Sequence, residues 1–267
     1  MGWLVASTVV IAALQQVTDQ TGVPTFLLKG GTMLQHRLGL TARATKDIDG
    51  LIRGDVDAFI EALDVVMTKP WGPFTMTRSE IEIIEVPARV LKPRRCYVFV
   101  ALRGQPWRTV KIELTPDEGG AGAFPEVVVA PTLAGFGLDG PDELVVLAMR
   151  YQIAQKLHAC SDPHNPPMSI NERPRDIVDL VLLRDLVDLE GTPTLSEIRD
   201  ATVRVFDARA QDAVALNLSP RLWPCVVVAY PHWLTDYATA AADGGVTLTL
   251  TEGVAAVNDW IGLIAGA

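Results

Sequence analysis

The sequence predicts an α+β protein in which a first half of mixed strands and helices is followed by a second half of helices alone. Three observations carry this. Between residues 75 and 115 the runs Ile81–Val86, Tyr97–Leu102 and Thr109–Leu114 are β-branched or alternate apolar with polar, as half-buried strands do. Pro87, Pro93 and Gly104-Gln105-Pro106 punctuate them. After Gly135 the strand pattern gives way to helical periodicity. The length of 267 residues, with 49% hydrophobic and 21% charged residues, fits one large or two small globular domains and excludes a disordered chain.

In chain order, residues 3–20 read as a helix stopped by Thr21-Gly22 and Pro24. Its apolar stretch Trp3–Leu14 is too short to cross a bilayer and has no basic flank of the signal-peptide kind, so an amphipathic first helix and no membrane association are expected. A short apolar segment, Thr25–Leu28, leads into Lys29-Gly30-Gly31-Thr32 and a helix over Met33–Leu38. Thr45–Ile52 reads as a strand and Val56–Met67 as a helix. The glycine-rich Gly119-Gly120-Ala121-Gly122 breaks the pattern and sets two domains, 1–130 and 131–267. Pro141-Asp142-Glu143 predicts a helix start, with acids suited to the helix dipole, and the helix runs to about Cys160. A proline-rich loop over 161–174 precedes helices at about 175–189, 195–212, 221–242 and 252–265.

Cys96, Cys160 and Cys225 are dispersed and form no CxxC pair, which excludes a zinc ribbon or a disulfide framework and points to a reducing, cytoplasmic setting. The net charge of −9 is unevenly spread. Residues 1–111 carry 14 Lys and Arg against 10 Asp and Glu, whereas 112–267 carry 9 against 22. Non-specific nucleic-acid binding is therefore disfavoured, and any polyanion partner is expected to meet the first half.

The stretch 28–52 carries the most chemistry. Gly30 and Gly31 let the backbone approach a ligand where a helix begins, and the first N–H groups of a helix have no intrahelical partner, so the place suits a triphosphate. Asp47 and Asp49 are two apart, so a strand turns both carboxylates to one face. Two carboxylates on a rigid strand, plus substrate phosphates, suit Mg²⁺. Read structurally, the same residues would be solvated aspartates; the upstream Gly-Gly favours the functional reading. Glu113, on the polar face of Val110–Leu114, is the candidate third carboxylate, with Glu82 and Glu85 as competitors. Lys156, on a strongly helical run, is a candidate phosphate contact. Asp176 and Asp179 open the next helix, where helix capping would account for both.

Taken together, Leu27-Leu28-Lys29-Gly30-Gly31-Thr32, Arg43–Asp49, Lys156 and Arg173-Pro174-Arg175-Asp176-Ile177-Val178-Asp179-Leu180 resemble the AbiEii nucleotidyltransferases. These are toxins of bacterial type IV toxin–antitoxin systems and include the mycobacterial MenT toxins. Trp223-Pro224 and Pro231-His232-Trp233 extend the likeness into the C-terminal half. The resemblance implies a polymerase-β-like nucleotidyltransferase domain with a mixed sheet, followed by a helical bundle domain. It implies that Gly30, Gly31 and Thr32 hold the triphosphate, that Asp47 and Asp49 bind Mg²⁺ with Glu113 as third ligand, that Lys156 contacts phosphate and that Asp176 is a second essential acid. Its implied reaction is transfer of NMP from NTP to the 3′ acceptor end of tRNA, releasing pyrophosphate, with a winged-helix antitoxin as partner. In the two-metal form of that reaction, metal ions about 3.5–4 Å apart clamp the attacking hydroxyl and the α-phosphate. Arg94, Arg95, Arg103, Arg108 and Lys111 are expected along the acceptor path. The rival readings are transfer to a protein or small-molecule hydroxyl, a kinase-like phosphotransfer, and an inactive nucleotide-binding module.

Overall fold

The computed structural model describes residues 2–38, 45 and 47–267; Arg43, Ala44 and Lys46 of the motif above lie outside the described residues. These residues form two compact units, the first comprising most of the chain to Leu147 and the second Ala148–Ala267 with Leu38 and Ala88–Val90.

The first unit is built on a mixed eight-stranded sheet. Its strands are β1 (Phe26–Lys29), β2 (Asp47–Ile52), β3 (Phe74–Arg78), β4 (Glu82–Ile83), β5 (Arg94–Leu102), β6 (Gln105–Pro116), β7 (Pro125–Val129) and β8 (Glu143–Leu147). They lie in the order β3-β5-β6-β2-β1-β8-β7, with β4 pairing with β5 beside β3. β2 sits at the centre, antiparallel to β1 and parallel to β6. On one face Ile48, Cys96, Val98, Ile112 and Leu114 are fully buried. Helices α1 (Gly2–Leu14), α2 (Gly30–Leu38) and α3 (Val56–Met67) complete the unit. Every residue of α1 from Val5 to Leu14 is buried, so it is a core helix and not the amphipathic one its short length suggested. Its Ser7 and Thr8 hydroxyls satisfy themselves on the Leu4 carbonyl. Asp55 caps α3 through the Ala58 N–H.

Three strands were hidden in the sequence. Phe74–Arg78 is β3, antiparallel to β5, whereas the strand expected over Ile81–Val86 is only Glu82–Ile83. Two more strands follow β6. Glu143–Leu147, expected to open a helix, is β8; its four apolar residues pair with β1 and β7, and the helix begins only at Met149. Pro125–Val129 is the edge strand β7. A short continuous apolar run has no period to separate strand from helix, and here the sheet's open edge decided.

The second unit contains α4 (Met149–Cys160), α5 (Pro174–Glu190), α6 (Leu195–Ala215), α7 (Leu234–Gly244) and α8 (Leu250–Ala265). Pro174 occupies the first turn of α5, and Thr194 with Glu197 and Thr249 with Glu252 form capping boxes on α6 and α8. The helix expected over 221–242 is confined to 234–244, because Pro220, Pro224 and Pro231 each lack the N–H a helix interior needs.

Gly50 shows how closely the centre of the sheet is packed. A Cβ built there would collide with the ring of Phe26, itself stacked on Phe59 at 6.3 Å. Gly50→Ala should cost about 1–3 kcal/mol, the usual range for overpacking a core. Thermal unfolding should therefore show a Tm lower by several degrees; an unchanged Tm would mean the Phe26 wall yields freely.

Candidate active site

The polar face of the sheet carries a row of charge set by strand register. Asp49 of β2 lies opposite Lys29 of β1 and opposite Glu113 of β6, and Glu113 lies opposite Arg95 of β5. One step along, Asp47 lies opposite Lys111. Because side chains alternate along a strand, the pairs 47/49 and 111/113 face the same way while Ile48, Ile112 and Leu114 enter the core.

The charges in this row are engaged. Lys111 Nζ lies 2.9 Å from Asp47 Oδ2 and 3.1 Å from Glu113 Oε1, so it bridges two strands. Arg95 donates twice to the same Glu113 oxygen, through Nε at 3.1 Å and Nη2 at 2.8 Å. Burial alone would raise the Glu113 carboxyl, but Arg95 and Lys111 outweigh it and hold Glu113 below its ordinary range. Lys111 is raised in turn, because Asp47 and Glu113 outweigh its burial.

The β1–α2 junction closes over this row. Gly30 has φ +69°, in the left-handed region, and a Cβ there would run into the Asp49 carboxylate, so only glycine fits on both counts. Thr32 is buried and donates its hydroxyl to the Asp47 carbonyl at 2.6 Å. Thr32 therefore fastens the first turn of α2 to the start of β2, and Gly31 is buried beside it. Gly30, Gly31, Thr32, Asp47, Asp49 and Glu113 are thus gathered within the first unit.

Lys156 and Asp176 are gathered within the second. Lys156 Nζ lies 2.7 Å from Asp176 Oδ1 and 2.7 Å from Asp179 Oδ2, joining α4 to α5. Asp179 is 0% exposed. Burial opposes the Lys156 charge, yet Asp176 and Asp179 prevail and raise its pKa well above the ordinary lysine value. Asp176 makes no helix cap, since α5 has no side-chain cap; its carboxylate serves Lys156 and also lines a cavity of about 490 Å³ with Arg173, Arg175 and His232.

Asp179, for which helix capping was one reading, is instead wholly buried and as close to Lys156 as Asp176 is. Sequence reasoning missed the pairing of the basic residues on the sheet. Arg95 and Lys111, expected along an acceptor path, are bound to carboxylates. Arg103 and Arg108 sit toward the β5–β6 turn, away from the end where Arg95 pairs with Glu113. Arg108 lies over the Trp107 ring at 5.4 Å.

For a divalent cation, Asp47 and Asp49 offer two carboxylates on one strand face, the donor number that suits Mg²⁺ once phosphate oxygens join. Among the described residues no group of three or more His, Cys, Asp or Glu is drawn together as a metal cluster. The aspartate pair fits a cation completed by substrate, while the Glu113 carboxylate carries two cationic side chains of the chain itself.

The mixed sheet with a helical C-terminal part is similar to the fold of nucleotidyltransferase toxins. The chain is similar to MenT4, a nucleotidyltransferase toxin from Mycobacterium tuberculosis H37Rv, with a TM-score of 0.55 over 98% of this chain and 92% of that one at 17% identity. JHP933 from Helicobacter pylori aligns over 98% of this chain and 91% of its own, at 17% identity and a TM-score of 0.47. The family described as nucleotidyl transferase AbiEii toxin of type IV toxin–antitoxin systems matches residues 12–256, and the chain belongs to it. It is therefore a nucleotidyltransferase toxin, a class that works on an NTP with a divalent metal and implies an antitoxin partner. No curated protein matches the chain by sequence. No helix among the described residues is long and apolar enough to cross a membrane.

The Lys156 cluster makes a stability prediction. Removing one partner of a buried ion pair typically costs about 3–5 kcal/mol, because the remaining charge is stranded. Lys156→Met should show that loss in denaturant unfolding, and adding Asp179→Asn should recover part of it. Because the lysine pKa is raised on folding, its stabilisation is complete below the ordinary value of 10.5 and fades only as pH climbs beyond it. Unfolding midpoints that decline through neutral pH on account of this pair would contradict the assignment.

Proposed function

We propose that the protein transfers NMP from an NTP to the 3′ end of tRNA, with Mg²⁺ held by Asp47 and Asp49, and so blocks translation. The observation that supports this most is the pair Asp47 and Asp49 on the polar face of β2, beside the glycine turn at Gly30. The bound metal would supply Lewis-acid stabilisation of charge on the phosphates. The RNA 3′ hydroxyl oxygen forms a bond to the α-phosphorus, the bond between that phosphorus and the bridging oxygen to the β-phosphate breaks, and pyrophosphate leaves. Asp49 would orient the attacking hydroxyl and its departing proton. Glu113 is held low by Arg95 and Lys111 and has little affinity for a proton. Glu113 instead orients Lys111, which steadies Asp47.

The start of α2, with Gly30 and Gly31, offers the positive end of a helix to the triphosphate. The family resemblance assigns phosphate contact to Lys156 and a second acidic role to Asp176. The surplus of Lys and Arg in residues 1–111 favours RNA approach to the first unit. A winged-helix protein is the proposed antitoxin, and the cytoplasm the proposed place of action.

The test incubates the protein with total RNA, Mg²⁺ and each α-labelled nucleoside triphosphate in turn. Label is expected on tRNA-sized species with release of pyrophosphate. Label confined to protein or to a small molecule would overturn the acceptor, and release of a nucleoside diphosphate would overturn the reaction. Asp47→Asn should abolish labelling while leaving Tm nearly unchanged, since Asp47 is only half-buried and its loss opens no cavity. A fully active Asp47→Asn protein would remove the metal role from that residue.

A further inference from the structure

The second unit holds an aromatic cluster that the reading above leaves unused. His164 and His232 stack with ring centroids 4.7 Å apart and planes 16° from parallel. Tyr230 lies 4.3 Å from His164 and 5.7 Å from His232, and meets Trp233 edge-on at 5.0 Å. Three of these rings come from one short stretch around Pro231-His232-Trp233, and His164 comes from the loop after α4.

Asn171, almost wholly buried, locks the cluster. Its backbone N–H donates to His164 Nδ1 at 3.3 Å. Its carbonyl accepts from Trp233 Nε1 at 2.7 Å and from His232 Nε2 at 2.8 Å. A carbonyl can only accept, so His232 carries its proton on Nε2. The Asn171 side chain donates to the carbonyls of Cys160 and Asp162, and its oxygen accepts from the Arg173 N–H. Rings fixed by a buried amide lose little freedom on binding a ligand, which favours affinity.

His232 is exposed, and with Trp233 it forms one side of the cavity of about 490 Å³, a size within the small-ligand range of about 300–1,000 Å³. Arg173 and Arg175 stand at the same cavity with Glu172 and Asp236. Flat rings offer a stacking face for a base, guanidinium groups suit a phosphate, and carboxylates accept from an exocyclic amine. Asp176 lines this cavity and holds Lys156, so the rings adjoin the cluster assigned to phosphate contact.

We propose that His232, backed by His164 and Tyr230, is a stacking seat for a nucleobase, with Arg173 and Arg175 for its phosphate and Glu172 and Asp236 selecting bases that bear an amino group. The inference rests on the nucleotidyltransferase reading, because it assigns the seat to that reaction's nucleotides. The base belongs either to the nucleoside triphosphate or to the 3′ nucleotide of the RNA.

Binding, not transfer, tests it. The full chain is titrated with Mg²⁺ and the α,β-methylene analogues of the four nucleoside triphosphates, which cannot transfer. In a second arm it is titrated with single-stranded RNA pentamers that differ in the 3′ base. His232→Ala should weaken one arm at least about fivefold, the low end of one lost base–ring stack. His232→Phe, which keeps a ring but not the Asn171 hydrogen bond, should restore most of the affinity. The arm that weakens identifies the source of the base, and in that arm cytosine, adenine or guanine should bind more tightly than uracil. Wild-type affinity of His232→Ala in both arms would overturn the seat. So would a loss accompanied by unfolding that His232→Phe does not rescue. Equal or tighter binding of uracil would overturn the selection by Glu172 and Asp236. Because no chemistry runs, a seat confirmed here stands even if RNA labelling fails, and labelling that succeeds leaves this binding result independent.

Discussion

The register of β2 between β1 and β6 is the constraint on which the rest of the first unit depends. It aligns Lys29, Asp49, Glu113 and Arg95 in one cross-strand row and sets Asp47 opposite Lys111. Like charges directly opposite one another destabilise a sheet, and Asp49 faces Glu113. The chain offsets that repulsion with Arg95 and Lys111 on Glu113. Asp47 and Asp49 stand on the same face beside this pairing, with Lys111 held between Asp47 and Glu113.

The second unit solves a related problem by burial. Lys156 reaches two aspartates from a neighbouring helix, and one of them is wholly removed from solvent. Desolvated charges hold position only when every partner is present. The group with proposed chemistry is therefore also part of the unit's framework, and loss of activity in a Lys156 variant has to be read beside its folding.

The glycine turn and the Asp47/Asp49 spacing were legible in the sequence, because each is local: a φ that only glycine tolerates and a period of two. Glu113 was legible as a polar position on an alternating strand, but its partners were not. Arg95 meets it only because β5 and β6 form a long hairpin, and nothing in either strand alone states that register. Asp179 and Lys156 lie 23 residues apart on different helices, so only packing joins them. The helical second half was legible in its periodicity and the mixed sheet followed the family resemblance, while β3, β7 and β8 escaped because four or five residues carry no reliable period. The prolines at 220, 224 and 231 are the local signal that separates the observed helix 234–244 from the longer one expected over 221–242.

The alternating row bears on how this chain can change length over time. Gain or loss of one residue within β2 or β6 would swing Asp47 and Asp49, or Lys111 and Glu113, into the space now filled by Ile48, Ile112 and Leu114. Such a change would empty the polar face and charge the core in a single event. Insertions and deletions among descendants of this gene should therefore gather in the connecting loops, and the spacing from 47 to 49 and from 111 to 113 should outlast the identity of most residues around it.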